Sequence, residues 1–173
     1  MGAICALARR SDTRLGYAIH HIESSLQLEF SGTPEIDAGQ DQVWNRLIDL
    51  DFVASCVTDV DEVRTIDNTH FQVLTAVRFG IVRFRFRVNV ELHDIVPPNT
   101  SMTAHAHAPG ARVTVNTSIR LEALSETRTR LSWVAVANLE GIIAKIGARL
   151  LEKEGIETIE EFWREFARRT AIS

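Results

Sequence analysis

Cysteine is scarce in this chain: Cys5 and Cys56 are the only two in 173 residues. Their separation fits no zinc-binding or redox motif, which points to a protein of a reducing compartment. No apolar run approaches the ~20 residues needed to cross a bilayer, and the short apolar start lacks the preceding basic region of a signal peptide. A cytoplasmic location without a membrane span is therefore expected, with peripheral membrane contact left open. Gly2 stands where a myristoyl group would be attached, but Ala6 occupies the position that calls for serine or threonine, so lipidation is not expected. Positive charge is also in deficit: 19 Lys and Arg face 23 Asp and Glu, a formal net charge of -4. Such a chain exerts no global pull on a polyanion, so nucleic acid is not expected as a partner. Missing too are a Gly-x-Ser-x-Gly elbow and any Cys–His pair that spacing can support. No catalytic residue, metal or cofactor is expected.

What the chain does have is apolar residues, 45% of the total, enough for the core of one domain at this length. Residues 1–24 show no clean period and read as an N-terminal arm; residues 25–173 read as the domain. Leu26, Leu28 and Phe30 alternate with polar neighbours as a strand does, until Pro34 ends it. Asp37 is placed to cap a helix carrying Val43, Trp44, Leu47 and Ile48, and a second short helix follows at residues 51–54. Alternation then returns over residues 60–66, through Phe71, Val73, Thr75, Val77 and Phe79, and from Val82 to Leu92, with Gly80 at a turn. In the last of these, Arg83, Arg85, Arg87, Asn89, Glu91 and His93 share the opposite face, which requires a sheet with one wet and one dry side. Residues 102–108, 113–121 and 129–137 supply further strands, about seven in all.

From about Gly141 the period becomes helical, with Leu139, Ile142, Ile143, Ile146 and Leu150 followed by Ile156, Ile159, Phe162, Trp163 and Phe166. Gly155 interrupts this stripe as a kink or a point of close approach to another backbone. The expected fold is thus α+β: a curved antiparallel sheet wrapped around one long C-terminal helix, with two short helices after the first strand. Where sheet and helix diverge, a cavity follows. Its expected lining is Phe52, Cys56, Phe71, Phe79, Phe84, Phe86, Met102, Trp133, Ile142, Ile143 and Ile146. Taken singly, each is ordinarily plain core. His105 and His107 are the polar candidates, able to orient a head group if they face inward; on a wet strand face they simply meet water.

Three stretches carry a family likeness. Asp37-Ala38-Gly39-Gln40-Asp41-Gln42-Val43-Trp44-Asn45-Arg46-Leu47, then Arg78-Phe79-Gly80-Ile81-Val82, and finally the helix from Ile142 to Leu151 ending in Phe162 to Phe166, resemble the CoxG family of carbon monoxide dehydrogenase subunits. That family belongs to the START-like, or SRPBCC, superfamily, and the likeness runs from about Leu26 to Arg168. The resemblance implies a helix-grip fold with a lipophilic cavity. It also implies a role beside a molybdenum carbon monoxide dehydrogenase, in membrane association or quinone handling. Three functions stay open: carriage of a hydrophobic small molecule such as a quinone or lipid, cyclase or dehydratase chemistry with His105 or His107 in the cavity, and docking to an oxidoreductase complex with an incidental cavity. Carriage without catalysis is the first expectation.

Overall fold

Alternating apolar residues dominate the architecture of the chain. A computed structural model describes residues 24–58 and 60–172; the arm expected over residues 1–24 lies outside this range except for Ser24, as does Cys5. Eight strands form one antiparallel sheet: β1 (Ser25–Gly32), β2 (Glu35–Ile36), β3 (Val60–Thr65), β4 (His70–Phe79), β5 (Val82–Val96), β6 (Asn99–Ala108), β7 (Ala111–Ser125) and β8 (Arg128–Gly141). Their spatial order is β1, β8, β7, β6, β5, β4, β3, and the two-residue β2 pairs with β8 beyond the end of β1. Seven strands match the expected alternating runs. β2 is too short to show a period.

Two short helices, α1 (Gln40–Leu47) and α2 (Leu50–Ser55), follow the first strands as expected. Asp37 does not cap α1. Gly39 holds that position with an extended backbone and no side-chain cap, because the chain there passes so near Glu126 that a Cβ on Gly39 would stand 2.8 Å from its carbonyl oxygen. A side-chain cap does form on α2, where the Phe52 amide donates to Asp49 Oδ1 at 3.1 Å.

The last helix starts later than its periodicity suggests. Leu139 belongs to β8, and Ile142–Lys145 form a single 3₁₀ turn before α3 (Ala148–Ile172) begins. Gly141 and Gly147 bracket that turn with φ of 82° and 114°, a left-handed conformation that glycine adopts without a Cβ penalty. Gly155 lies inside α3 and does not break it.

The nearest backbone neighbours of α3 are β1 and β2 on one side of the sheet, β4 on the other, and α1. The helix therefore spans the concave face and leans on its margins. Two buried clusters result. One gathers Val43, Leu47 and Cys56 of the short helices with Trp163 and Phe166 of α3; the other gathers Phe84, Phe86, Ala137, Ile143 and Leu151. Phe166 is fully buried and meets Phe52 edge-on at a centroid distance of 5.6 Å.

Candidate functional site

Strand alternation sends one set of side chains towards α3. Across the middle of the sheet two registered rows face it: Phe71, Val90, Ala104, Val115, Ala137 and Leu28, then Val73, Val88, Ala106, Val113, Leu139 and Leu26. The inner positions of β6 are Thr100, Met102, Ala104, Ala106 and Ala108, so the sheet presents its shortest side chains, the three alanines, where the helix bridges it. A face that α3 covered completely would be buried. Val88, Ala104, Ala106, Val113 and Val115 instead keep part of their surface accessible, so a gap adjoins the centre of the sheet. Phe30, Val88 and Val115 are the partly buried residues that touch both clusters. The inner positions of β1 and of β4 to β8 contain no ionisable group, only aliphatic, aromatic, thioether and hydroxyl side chains.

The residues expected to line a cavity fall into three groups. Cys56, Phe71, Phe84, Phe86, Trp133 and Ile143 are buried in the two clusters, and Phe52, Phe79, Met102 and Ile146 are half-buried against them. Ile142 is a correction: it is 49% exposed and packs beside Gly110 on the outside. The 3₁₀ turn sends adjacent side chains in different directions, so Ile143 takes the interior and Ile142 does not. His105 and His107 are likewise corrected, since alternation places both on the outer face, where they are exposed. His105 Nδ1 lies 3.3 Å from Thr114 Oγ1, and neither histidine reaches the gap.

Those histidines join a polar outer face. His93 Nε2 lies 2.9 Å from Thr103 Oγ1, whose hydroxyl donates to Asn116 Oδ1 at 3.1 Å. At the sheet's end, His70 Nδ1 lies 2.9 Å from Asp67 Oδ1, with Glu91 Oε1 3.7 Å from its other nitrogen. Asp67 is pulled down to about 2, first by the Thr69 backbone amide and then by His70; the same contact with Asp67 raises His70 above its ordinary value. Among the described residues, no cluster of His, Cys, Asp and Glu is able to hold a metal ion.

Two inner groups carry polar atoms of note. Burial raises the Cys56 thiol, against a lesser opposite pull from Arg169, and its sulfur donates to the Phe52 carbonyl at 3.3 Å. A thiol held neutral in this way is a filler. Trp133 stacks on Trp163 at 6.1 Å, and its buried indole N–H has no hydrogen-bond partner among the described residues. Gly32 makes room for that ring, because a Cβ there would stand 2.8 Å from Trp133 Nε1.

Several residues of the site escaped the sequence reading: Ala104, Ala106, Val88, Val115 and Phe30. The signal available was a strand whose inner positions carry three alanines, where core strands usually carry larger groups.

The comparisons with known proteins agree with this architecture. A family model described as a carbon monoxide dehydrogenase subunit (CoxG) matches residues 32–171. No curated protein matches the chain. Among solved structures, a conserved protein from Geobacillus kaustophilus is similar at 21% identity and a TM-score of 0.77, covering 84% of this chain and 97% of its own. The Zhui aromatase/cyclase from Streptomyces sp. R1128 is similar at 16% identity and a TM-score of 0.55, with 83% and 96% covered. A START superfamily protein from Mycobacterium smegmatis shares 11% identity at a TM-score of 0.61, with 82% and 96% covered. The fold is therefore the START-like helix grip. No described helix is long and apolar enough to cross a membrane.

Proposed function

Since the chain belongs to the CoxG family of carbon monoxide dehydrogenase subunits, we propose that it carries a hydrophobic small molecule, of quinone or lipid type, between α3 and the inner face of its sheet. The observation that supports this reading is the accessible, small-residue centre of that face, lined by Val88, Ala104, Ala106 and Val115 between two packed clusters. Apolar surface left in contact with water is a site waiting for an apolar partner. Burying ~200 Å² of a ligand there would contribute ~5 kcal/mol at ~25 cal/mol per Å². The family description, a carbon monoxide dehydrogenase subunit, supports an accessory role beside an oxidoreductase of that type; on this reading the cargo serves that enzyme.

Carriage is favoured over cyclase chemistry by the composition of the inner face. Proton transfer to a bound substrate needs a titratable group in reach, and the inner positions of β1 and β4 to β8 offer none. The test is native mass spectrometry of protein taken from its own host, followed by solvent extraction. A quinone or lipid released on denaturation at near-stoichiometric amount is the expected result. A protein that arrives empty and also rejects added quinones and lipids would overturn the proposal.

A further inference from the structure

The two ends of the sheet differ in shape and in charge. Pairing of β4 with β5 puts the turn at residues 79–82 at one end and the turns at residues 65–70 and 94–99 at the other. Ile81 projects from the first turn fully exposed, with Val82 41% exposed beside it. The 3₁₀ turn and the start of α3 adjoin this tip, since a Cβ on Gly80 would stand 3.7 Å from Leu150 Cδ2. Residues 76–90, 104–113 and 141–151, which supply this end, contain no Asp or Glu. Their cations Arg78, Arg83, Arg85, Arg87, Lys145 and Arg149 form no ion pair among the described residues. Asp61, Glu140 and Glu152 border the region, and Glu140 is taken by Arg112 at 3.0 Å.

The opposite end is hollow and acidic. Ile48, Leu50 and Ile95 form the apolar part of a pocket of about 400 Å³, and Asp49, Asp51 and Asp67 stand in its walls. Ile66 and Val96 belong to the same two turns and are 59% and 66% exposed. No lysine or arginine lines the pocket; Arg64 is next to Thr65 in sequence, but alternation turns it to the other face of β3. The carboxylates are fixed from within the chain: Asp49 accepts the Phe52 amide, Asp51 the Thr65 hydroxyl and Asp67 the Thr69 amide. None of the three pairs with a lysine or arginine among the described residues; Asp67 meets His70.

A projecting isoleucine ringed by cations and a hollow of isoleucine and leucine ringed by carboxylates are complementary in shape and in sign. This chain carries both. We infer that copies of the chain join head to tail, Ile81 of one seating between Ile48, Leu50 and Ile95 of the next while Arg78 and Arg83 meet Asp49, Asp51 and Asp67. A two-fold dimer through either end would bring like charges together, which opposes it. Joining unlike ends is a heterologous contact, and each added copy presents a fresh tip or a fresh pocket, so the contact repeats. A different acidic partner would have to supply a hollow that the chain already contains. The contact rests on the two ends of the sheet, not on what the interior holds.

The test is sedimentation velocity of the full chain at low salt, from about 1 μM to about 1 mM. The average mass should rise with concentration above the 19.4 kDa of one copy without levelling at two copies, and should fall back towards one copy at about 1 M salt, where the screening length is ~3 Å. Ile81→Asp and Asp51→Arg should each weaken association at least about tenfold, with the melting temperature of the dilute chain unchanged. Ile95→Arg blocks the pocket from its other wall and takes the place of Asp51→Arg should that variant fail to fold. At a concentration where each variant alone is a monomer, an equal mixture of Ile81→Asp, whose pocket is intact, and Asp51→Arg, whose tip is intact, should form one-to-one dimers and nothing larger. An unaltered chain that stays monomeric throughout overturns the inference and leaves both ends to other partners. A mass that levels at two copies, association that Ile81→Asp retains in full, or a mixture that remains monomeric overturns it as well.

Discussion

Gly155 of α3 lies directly against the ring of Phe30 in β1: a Cβ at Gly155 would stand 2.9 Å from Phe30 Cζ. The helix meets the sheet margin through a glycine, so the contact is closer than any other residue allows. Leucine at this position gains helix propensity worth about 1 kcal/mol but must displace a half-buried ring, an overpacking that costs about 1–3 kcal/mol and grows with side-chain size. Gly155→Leu should therefore lower the denaturation midpoint. In a Phe30→Ala background the loss should shrink, and a double-mutant cycle in urea measures the coupling.

Adjacent isoleucines should behave oppositely. Ile143 is 1% exposed and Ile142 is 49% exposed. A carboxylate at the first is buried without a partner, at a cost of several kcal/mol; at the second it reaches water. Ile143→Asp is expected to unfold the chain or cut its stability severely, while Ile142→Asp stays within about 1 kcal/mol. Thermal unfolding followed by circular dichroism separates the two.

Filling the interior should leave the fold intact and abolish cargo binding. Ala106 faces α3 from the middle of β6 and keeps accessible surface. A phenylalanine there is expected to hold or raise the melting temperature, because it enters unoccupied space, and to remove quinone or lipid uptake measured by tryptophan quenching. A loss of about 1–3 kcal/mol would mean that the centre is already packed.

Titration of His70 reports on its contact with Asp67. The carboxylate raises the imidazole above its ordinary 6.5, so the fold favours the protonated ring. That contribution is complete below pH 6.5 and disappears as pH rises through the folded midpoint. Asp67 has the reverse sign: lowered from 3.8 to about 2, it stabilises the fold above pH 3.8 and ceases to do so as pH falls through about 2. Asp67→Asn should bring the His70 midpoint, read by NMR, back towards 6.5. An unmoved midpoint would show that the pair does not form in solution.

We propose that the folding unit begins near residue 25, close to the start of β1 and shortly before the family match begins at residue 32. A chain lacking residues 1–23 should then melt at the temperature of the full chain. A marked drop would place the removed segment in the core.

Much of the sheet was legible in the sequence because period-two patterns survive in β1 and in β3 to β8, with Gly80 marking a turn that its φ of 61° confirms. Elements without a repeat were not. β2 is two residues long, and the start of α3 was obscured because Leu139, Ile142, Ile143, Ile146 and Leu150 mimic a helical stripe while crossing a strand, a 3₁₀ turn and a helix. Asp37 looked like a cap because nothing local reveals that Gly39 passes against Glu126. The large inward aromatics were visible as apolar residues. The gap was not, since it is defined by side chains that are small: alanines carry little pattern, and their meaning depends on what lies opposite.

An interior left partly unfilled also makes the folded chain bulkier than its atoms require. Apolar walls keep water in that space below its bulk density, so unfolding shrinks the system and volume becomes a thermodynamic handle on the site, with changes of order ~20–100 mL/mol for proteins in general. Hydrostatic pressure should accordingly favour the unfolded chain more strongly when the space between Ala106 and α3 is empty than when a molecule occupies it. Compression thus senses occupancy without reference to the chemistry of the occupant.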